Sequence, residues 1–118
     1  MKKQGLWCVA ALVLAMSLNT LAGWMEDSAD FWAECAAKEF KLTPEQKQAV
    51  SSAKLSHIKA WQEAKALKEA GDVQGAEEKE RVSSVEYLDA MMQAIGTATP
   101  DEIWDFNRRT REAFDKSK

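Results

Sequence analysis

Two residues of this sequence, His57 and Cys35, have side chains that commonly take part in catalysis or metal binding. His57 is the only histidine among 118 residues, and an imidazole can bind a metal, move protons or change charge near neutral pH. A metal site needs further ligands, and neither a cysteine nor a carboxylate follows His57 three or four residues later on the same helical face. We therefore expect no metal site and a packed or partly solvated His57, and a pH-sensing role stays open.

Cys35 is the second candidate. The other cysteine, Cys8, lies in an N-terminal segment that has the features of a signal peptide. A single cysteine in an exported chain is typical of an intermolecular disulfide or a free thiol, and free cysteines are also often buried as small apolar residues. All three roles of Cys35 remain open.

The motifs of common enzyme sites do not occur in the sequence. It contains no Gly-rich phosphate loop, no Gly-x-Ser-x-Gly turn and no Cys-x-x-Cys-His haem attachment. Because His57 is present, composition alone leaves a Ser-His-Asp arrangement open, but no segment resembles the turn that presents a nucleophile. We predict that the chain is not an enzyme, has no catalytic residues and carries no cofactor.

The first 22 residues have the pattern of a cleavable signal peptide. Lys2 and Lys3 precede an apolar run from Leu6 to Leu18, and small residues near Ala22 fit a cleavage site after it. A retained membrane anchor is the alternative, although the run is short for a membrane span. Cleavage would remove two lysines and change the formal charge from −3 to −5, which argues against nucleic acid and anionic lipid as partners. We expect a periplasmic protein without stable membrane insertion after cleavage.

Two short segments predict the starts of long helices. In Thr43-Pro44-Glu45-Gln46, a threonine N-cap precedes a proline at the first helical position, and Gln46 can close a capping box. Thr99-Pro100-Asp101-Glu102 repeats this chemistry near the C-terminus. Both prolines of the sequence therefore open helices.

The remaining elements follow from helical periodicity and the absence of strand or hairpin signals. We predict an all-α fold with one helical domain at 23–118 and helices at about 26–40, 44–70, 76–95 and 100–114, forming an elongated antiparallel hairpin. On the second helix an apolar stripe includes Val50, His57 and Trp61, with Lys54 off it, and Val82, Val85, Leu88, Met92 and Ile95 predict a seam on the third. Ile103, Phe106, Thr110 and Phe114 predict the buried face of the fourth helix. The candidate partner-binding residues are Trp32, Ile58, Trp61, Met91 and Met92.

The helix starts also carry a family resemblance. Leu42, Thr43 and Gln46 match the Leu-Thr-x-x-Gln motif of the Spy/CpxP family of small bacterial periplasmic proteins in full. In the second copy Thr99 matches, Ala98 stands in place of leucine and Glu102 in place of glutamine. The resemblance covers about residues 41–114. The chain departs from the family in its acidic mature charge, in Cys35 and in lacking a His/Met-rich segment before the first motif.

The resemblance implies a cradle-like antiparallel homodimer. It further implies ATP-independent binding of unfolded client proteins, or regulation of an envelope-stress sensor, through shallow apolar helical surface. Two alternatives remain open: a dedicated accessory subunit of an envelope complex, and a metal-responsive sensor.

Overall fold

Four α-helices form the described part of the chain. The computed structural model describes residues 9–117, with side chains from residue 23 onward. Helix α1 spans Val9–Phe40, α2 Pro44–Glu69, α3 Val73–Ile95 and α4 Pro100–Lys116. No strand occurs within residues 9–117, which confirms the predicted all-α class.

Helix α1 is longer than the sequence pattern predicted. It is already helical at Val9, the first described residue, whereas the predicted start was near Glu26, and it continues through residues 22 and 23, the predicted cleavage position. A single glycine such as Gly23 costs a helix only about 1 kcal/mol and does not have to end it. Residues 1–8 of the predicted signal peptide lie outside the described residues, so export and cleavage remain predictions. Among the described helices, none combines the length and apolar character needed to cross a membrane.

Both predicted capping boxes form. The Thr43 hydroxyl accepts a hydrogen bond from the Gln46 amide at 3.2 Å, and Gln46 Oε1 accepts one from the Thr43 amide at 2.9 Å. Thr99 and Glu102 make the same pair of bonds at 3.3 and 2.8 Å. Each box satisfies two amide groups that a helix leaves unpaired at its start, so both helix starts are determined within four residues of sequence.

The link between α1 and α2 is only three residues long, 41–43. Lys41 adopts a left-handed backbone conformation with φ +56°, and the Leu42 amide donates to the Ala37 carbonyl at 3.1 Å. This is the hydrogen bond of a Schellman helix end, and Leu42 packs against the core directly afterwards. The motif leucine therefore anchors the end of α1 while Thr43 begins α2.

The turn between α2 and α3 places the start of α3 three residues earlier than predicted. Gly71 has φ +95°, a conformation that favours glycine. The Asp72 carboxylate then accepts from the Gly75 amide at 2.9 Å and caps a helix that begins at Val73 rather than Ala76. A Cβ atom on Gly75 would lie 2.3 Å from Asp72 Oδ2, so Gly75 belongs to the first turn of the helix and leaves room for the cap.

The helices pack as a flat body. α2 and α3 form an antiparallel hairpin, α1 lies against α2, and α4 contacts α1 and α3. The radius of gyration is 16.3 Å and the extents are 47 × 42 × 26 Å, whereas a compact domain of this length has a radius of gyration of about 13–14 Å. The molecule is therefore more extended than a sphere, and its short dimension leaves much of each helix near solvent.

The main core contains buried side chains from all four helices. The largest fully buried side chains are Phe106, Met91, Ile103 and Val50. The predicted face of α4 is confirmed, because Ile103, Phe106 and Thr110 are buried and Phe114 packs against the core.

The predicted seam of α3 is wrong in its first half only, because Ile95 is buried and Leu88 and Met92 pack against the core. Val82 and Val85 are 37% and 59% exposed, whereas Tyr87 and Met91 are buried. The helix is turned toward Tyr87 because this ring has partners on two other helices: it stacks on His57 of α2 and donates to Asn107 of α4. The two exposed valines are left on the outer surface of the hairpin.

Candidate functional site

Three helices are joined by one amide side chain. Asn107 Oδ1 on α4 accepts a hydrogen bond from Tyr87 OH of α3 at 2.7 Å and one from Trp32 Nε1 of α1 at 3.1 Å. A carbonyl oxygen has two lone pairs, so both are used. Trp32 and Tyr87 are 3% and 2% exposed, and burial raises the pKa of the Tyr87 hydroxyl, which therefore stays a neutral donor.

His57 of α2 completes this cluster. Its ring stacks on Tyr87 with 4.6 Å between centroids and an interplanar angle of 22°, and His57 Nδ1 lies 2.8 Å from Ser83 Oγ. Burial, followed by the positive charge of Lys54, lowers the pKa of His57 to about 4. The imidazole is therefore neutral at neutral pH and acts as a flat packing surface with one hydrogen bond.

Lys54 lies beside His57 and is the least expected feature of the molecule. The residue is 5% exposed, although lysine is rarely buried without a partner charge. Its Nζ lies over the Trp32 ring, 3.9 Å from the centroid, and 5.5 Å from that of Tyr87. Nζ makes no hydrogen bond or ion pair with any described residue. Burial, together with the nearby charge of Arg111, lowers the pKa of Lys54 to about 8.

A cleft of about 520 Å³ opens above Lys54 between α1, α2 and α4. Two exposed indoles, Trp24 of α1 and Trp61 of α2, lie on its walls and are 41% and 43% exposed. Ser28 also lines it, and Ser28 Oγ is buried without a hydrogen-bond partner among the described residues. The remaining lining residues are Trp32, His57, Ile58, Gln62, Arg111, Phe114 and Asp115. We call this the Lys54 cleft.

Two further depressions share residues with the Lys54 cleft. One of about 220 Å³ also contains Lys54, His57 and Arg111, and adds Trp104 and Asn107 on the α4 side. The other, of about 660 Å³, is a groove between α2 and α3 lined mainly by alanine and serine side chains. It is the largest of the three, but it lacks the cation and the exposed indoles, so we place the candidate site at the Lys54 cleft.

The described residues offer few other reactive groups. They contain no cluster of three or more His, Cys, Asp or Glu side chains that could hold a metal ion. Cys35 is half-buried against the core, and burial raises the pKa of its thiol, so it is less ionised than a free thiol. Ser83 and His57 form a hydroxyl–imidazole pair, but Ser83 is 5% exposed and an imidazole with this lowered pKa is a weak base.

The arginines of α4 are used differently from one another. Arg109 donates two hydrogen bonds to the Glu39 carboxylate, at 2.9 and 2.8 Å, and so ties α4 to α1. Arg108 pairs within its own helix with Asp105 and Glu112. Arg111 forms no ion pair with another described residue and faces the Lys54 cleft.

The five predicted partner-binding residues separate into two groups. Trp32 and Met91 are buried in the core, and Met92 packs against it. Ile58 and Trp61 line the Lys54 cleft. In this conformation Ile58, Trp61 and the partly exposed Met92 present surface to a partner, whereas Trp32 and Met91 present almost none.

Sequence reasoning missed Lys54, Trp24 and Asn107. Lys54 follows Val50 by four residues and precedes His57 by three, so helical spacing alone places it on the buried stripe. Its charge led to the opposite assignment. Asn107 gave no local signal, because its two donors are 75 and 20 residues away in sequence.

A search of protein-family models, curated proteins and solved structures finds no match to this chain.

Proposed function

We propose that this chain is an exported binding protein without enzymatic activity, which holds apolar segments of unfolded proteins in the Lys54 cleft. The observation that carries the proposal is the pair of exposed indoles, Trp24 and Trp61, on the walls of one open cleft. Tryptophan is enriched among residues that dominate binding energy, and large exposed aromatic side chains in a concave surface commonly mark a binding site.

The shape of the cleft favours weak and reversible binding. It is open to solvent, its floor is polar, and Ile58 and the two indoles provide the apolar contact. A segment bound on such a surface can leave without an energy source, as ATP-independent client binding requires. The buried Ser83–His57 pair, which lacks a carboxylate partner among the described residues, does not favour nucleophilic catalysis.

Export and dimerisation belong to the same proposal, which follows the Spy/CpxP resemblance. Val82 and Val85 support a second copy as partner, because they are three residues apart and lie together on the outer surface of α3. We propose that the mature chain begins after Ala22 and forms a homodimer.

Aggregation of a chemically reduced test protein measures client binding directly. The chain should suppress aggregation at about equimolar ratio, and the double substitution Trp24→Ala, Trp61→Ala should remove the effect. Loss of one such indole typically costs on the order of 2 kcal/mol, or roughly 30-fold in affinity. Trp104→Ala is the matched control, because Trp104 is 40% exposed but lies outside the Lys54 cleft.

Two results would contradict the proposal: no suppression by the unaltered chain, or equal loss in the double variant and in Trp104→Ala. A chain that fails to suppress aggregation but recovers a single protein from envelope extract, with recovery lost in the double variant, would instead support the accessory-subunit alternative.

A further inference from the structure

The charge of Lys54 has no ion-pair partner among the described residues. Its side chain is almost wholly buried, and its Nζ contacts only the faces of two aromatic rings. An ammonium group has three N–H donors. A ring face can attract one of these N–H groups, but it does not accept a full hydrogen bond. A buried cation of this kind needs an anion or ordered solvent on its open side.

A second unpartnered donor lines the same cleft from the opposite helix. Ser28 is 4% exposed, and its hydroxyl has no hydrogen-bond partner among the described residues. Buried side-chain polar atoms are rarely left unpaired. Lys54 from α2 and Ser28 from α1 therefore both line the cavity with unpaired donors, although the Ser28 hydroxyl is covered in this structure and must rotate to meet a ligand. A carboxylate, with two oxygens that only accept, matches such a pair.

The other ionisable groups around Lys54 leave the cleft positive. From α2, His57 is neutral at neutral pH, and from α3, Tyr87 is neutral as well. From α4, Arg111 adds a second positive charge and Asp115 one negative charge, while Arg108 lies in the adjoining depression. α1 contributes Ser28 and two tryptophans to the lining and no charged side chain. One positive charge remains for a monoanion.

The walls above these donors are apolar. Trp24, Trp61, Ile58 and Phe114 contribute apolar lining, and the two indoles are exposed to solvent. The volume of about 520 Å³ is within the range of clefts that hold small organic ligands, about 300–1,000 Å³. The ligand should therefore carry its negative charge at one end of an apolar body.

We propose that the Lys54 cleft binds a small organic carboxylate, with its carboxylate on Lys54 and Ser28 and its aromatic or aliphatic body between Trp24 and Trp61. The proposed acid site does not rest on client binding, because Lys54 supports it rather than the exposed indoles alone; an acid and an unfolded segment would compete for the same cleft. The C-terminus of a peptide offers the same carboxylate chemistry, and the titrations below distinguish the two sources.

Calorimetric titration with 2-naphthoate and its neutral amide, 2-naphthamide, tests the site. The unaltered chain should bind naphthoate at least roughly 30-fold more tightly than naphthamide, as expected when a buried charge loses its partner. Lys54→Met should remove this preference and leave the affinity for naphthamide unchanged, and Ser28→Ala should weaken naphthoate by roughly 5-fold. Lys59→Met is the matched control, because Lys59 is exposed on the same helix and does not line the cleft.

Proton linkage provides a second readout. A bound carboxylate favours the charged form of Lys54, so binding at about pH 8.5 should take up protons, and the measured enthalpy should depend on the buffer. Lys54→Met should show no such dependence.

Any one of three results would overturn the proposal. The unaltered chain could bind acid and amide with equal affinity, it could fail to bind naphthoate up to millimolar concentration, or Lys54→Met could bind naphthoate as well as the unaltered chain does. The amide comparison needs no variant, so it decides the question even if a substitution fails to fold. If acetyl-Ala-Phe with a free C-terminus bound more than tenfold tighter than naphthoate, the assignment to a small acid would be wrong. Suppression of aggregation without naphthoate binding would leave the proposed function intact and remove this site alone.

Discussion

Replacing Lys54 by methionine should stabilise the folded chain at neutral pH. The substitution keeps a long unbranched side chain and removes a buried charge. The pKa of Lys54 falls from 10.5 to about 8 in the folded chain, and a difference of this size corresponds to about 3.4 kcal/mol of destabilisation by the charged form. Repacking a thioether against the Trp32 ring in place of the ammonium should cost about 1.5 kcal/mol. The net gain for Lys54→Met at pH 7 should be about 1–2 kcal/mol.

The gain should also depend on pH in a defined direction. Because the folded pKa of Lys54 lies below its unfolded value, the unfolded chain binds more protons between about pH 8 and 10.5. The stability of the unaltered chain relative to Lys54→Met should therefore rise across this window. Below pH 8 both states are protonated, and the full cost of the buried charge is present.

Urea unfolding, followed by far-ultraviolet circular dichroism, measures both effects. With a slope of about 1–3 kcal/mol per molar urea for a domain of this size, the midpoint of Lys54→Met should rise by about 0.5–1 M at pH 7. Lys59→Met, which removes an exposed lysine from the same helix, should change it little. A Lys54→Met chain that loses 1 kcal/mol or more at pH 7 and keeps the alkaline pH dependence would refute the reasoning.

Two further predictions concern the neighbours of Lys54. The pKa of His57 falls from 6.5 to about 4 on folding. As the pH is lowered, His57 is therefore protonated in the unfolded state first, and the free energy of unfolding should drop by about 1–3 kcal/mol between pH 6.5 and pH 4. His57→Phe, which keeps a flat ring against Tyr87, should reduce this drop, and an unchanged acid dependence would contradict the assignment. Asn107→Leu leaves the Tyr87 hydroxyl and the Trp32 indole N–H without their shared acceptor, and should cost about 2–4 kcal/mol in urea unfolding. Adding Tyr87→Phe should recover part of that loss, whereas an additive loss would mean that the hydrogen bond is not what Asn107 contributes.

The helix starts could be predicted because their chemistry is local. Thr43 and Gln46, and likewise Thr99 and Glu102, lie three residues apart and satisfy each other's amides without any other part of the chain. The all-α class followed from the same kind of signal. Helix α3 begins three residues earlier than predicted because Asp72 caps it locally, by accepting a hydrogen bond from the Gly75 amide.

The rotation of α3 could not be predicted from apolar periodicity. Val82 and Val85 have the apolar character and the spacing of buried helix positions, yet both are exposed and Tyr87 is buried. A tyrosine gains from burial only where its hydroxyl has a partner, and that partner, Asn107, lies on another helix. Hydropathy compares residues along one helix and cannot register a hydrogen bond to a second one.

Lys54 shows the same limit and also explains why the candidate site lies where it does. Its position between Val50 and His57 places it on the inner stripe, and what makes that position tolerable is a ring face 22 residues earlier in sequence, on Trp32. The ring lowers the cost of the charge without cancelling it, because a π face is neutral and accepts no ion pair. A carboxylate from the chain itself would instead have formed an ion pair with the ammonium and left no charge for a ligand. The contact that permits burial of Lys54 therefore also leaves its charge available to an incoming anion, and stability and binding should change in opposite directions when Lys54 is replaced by methionine.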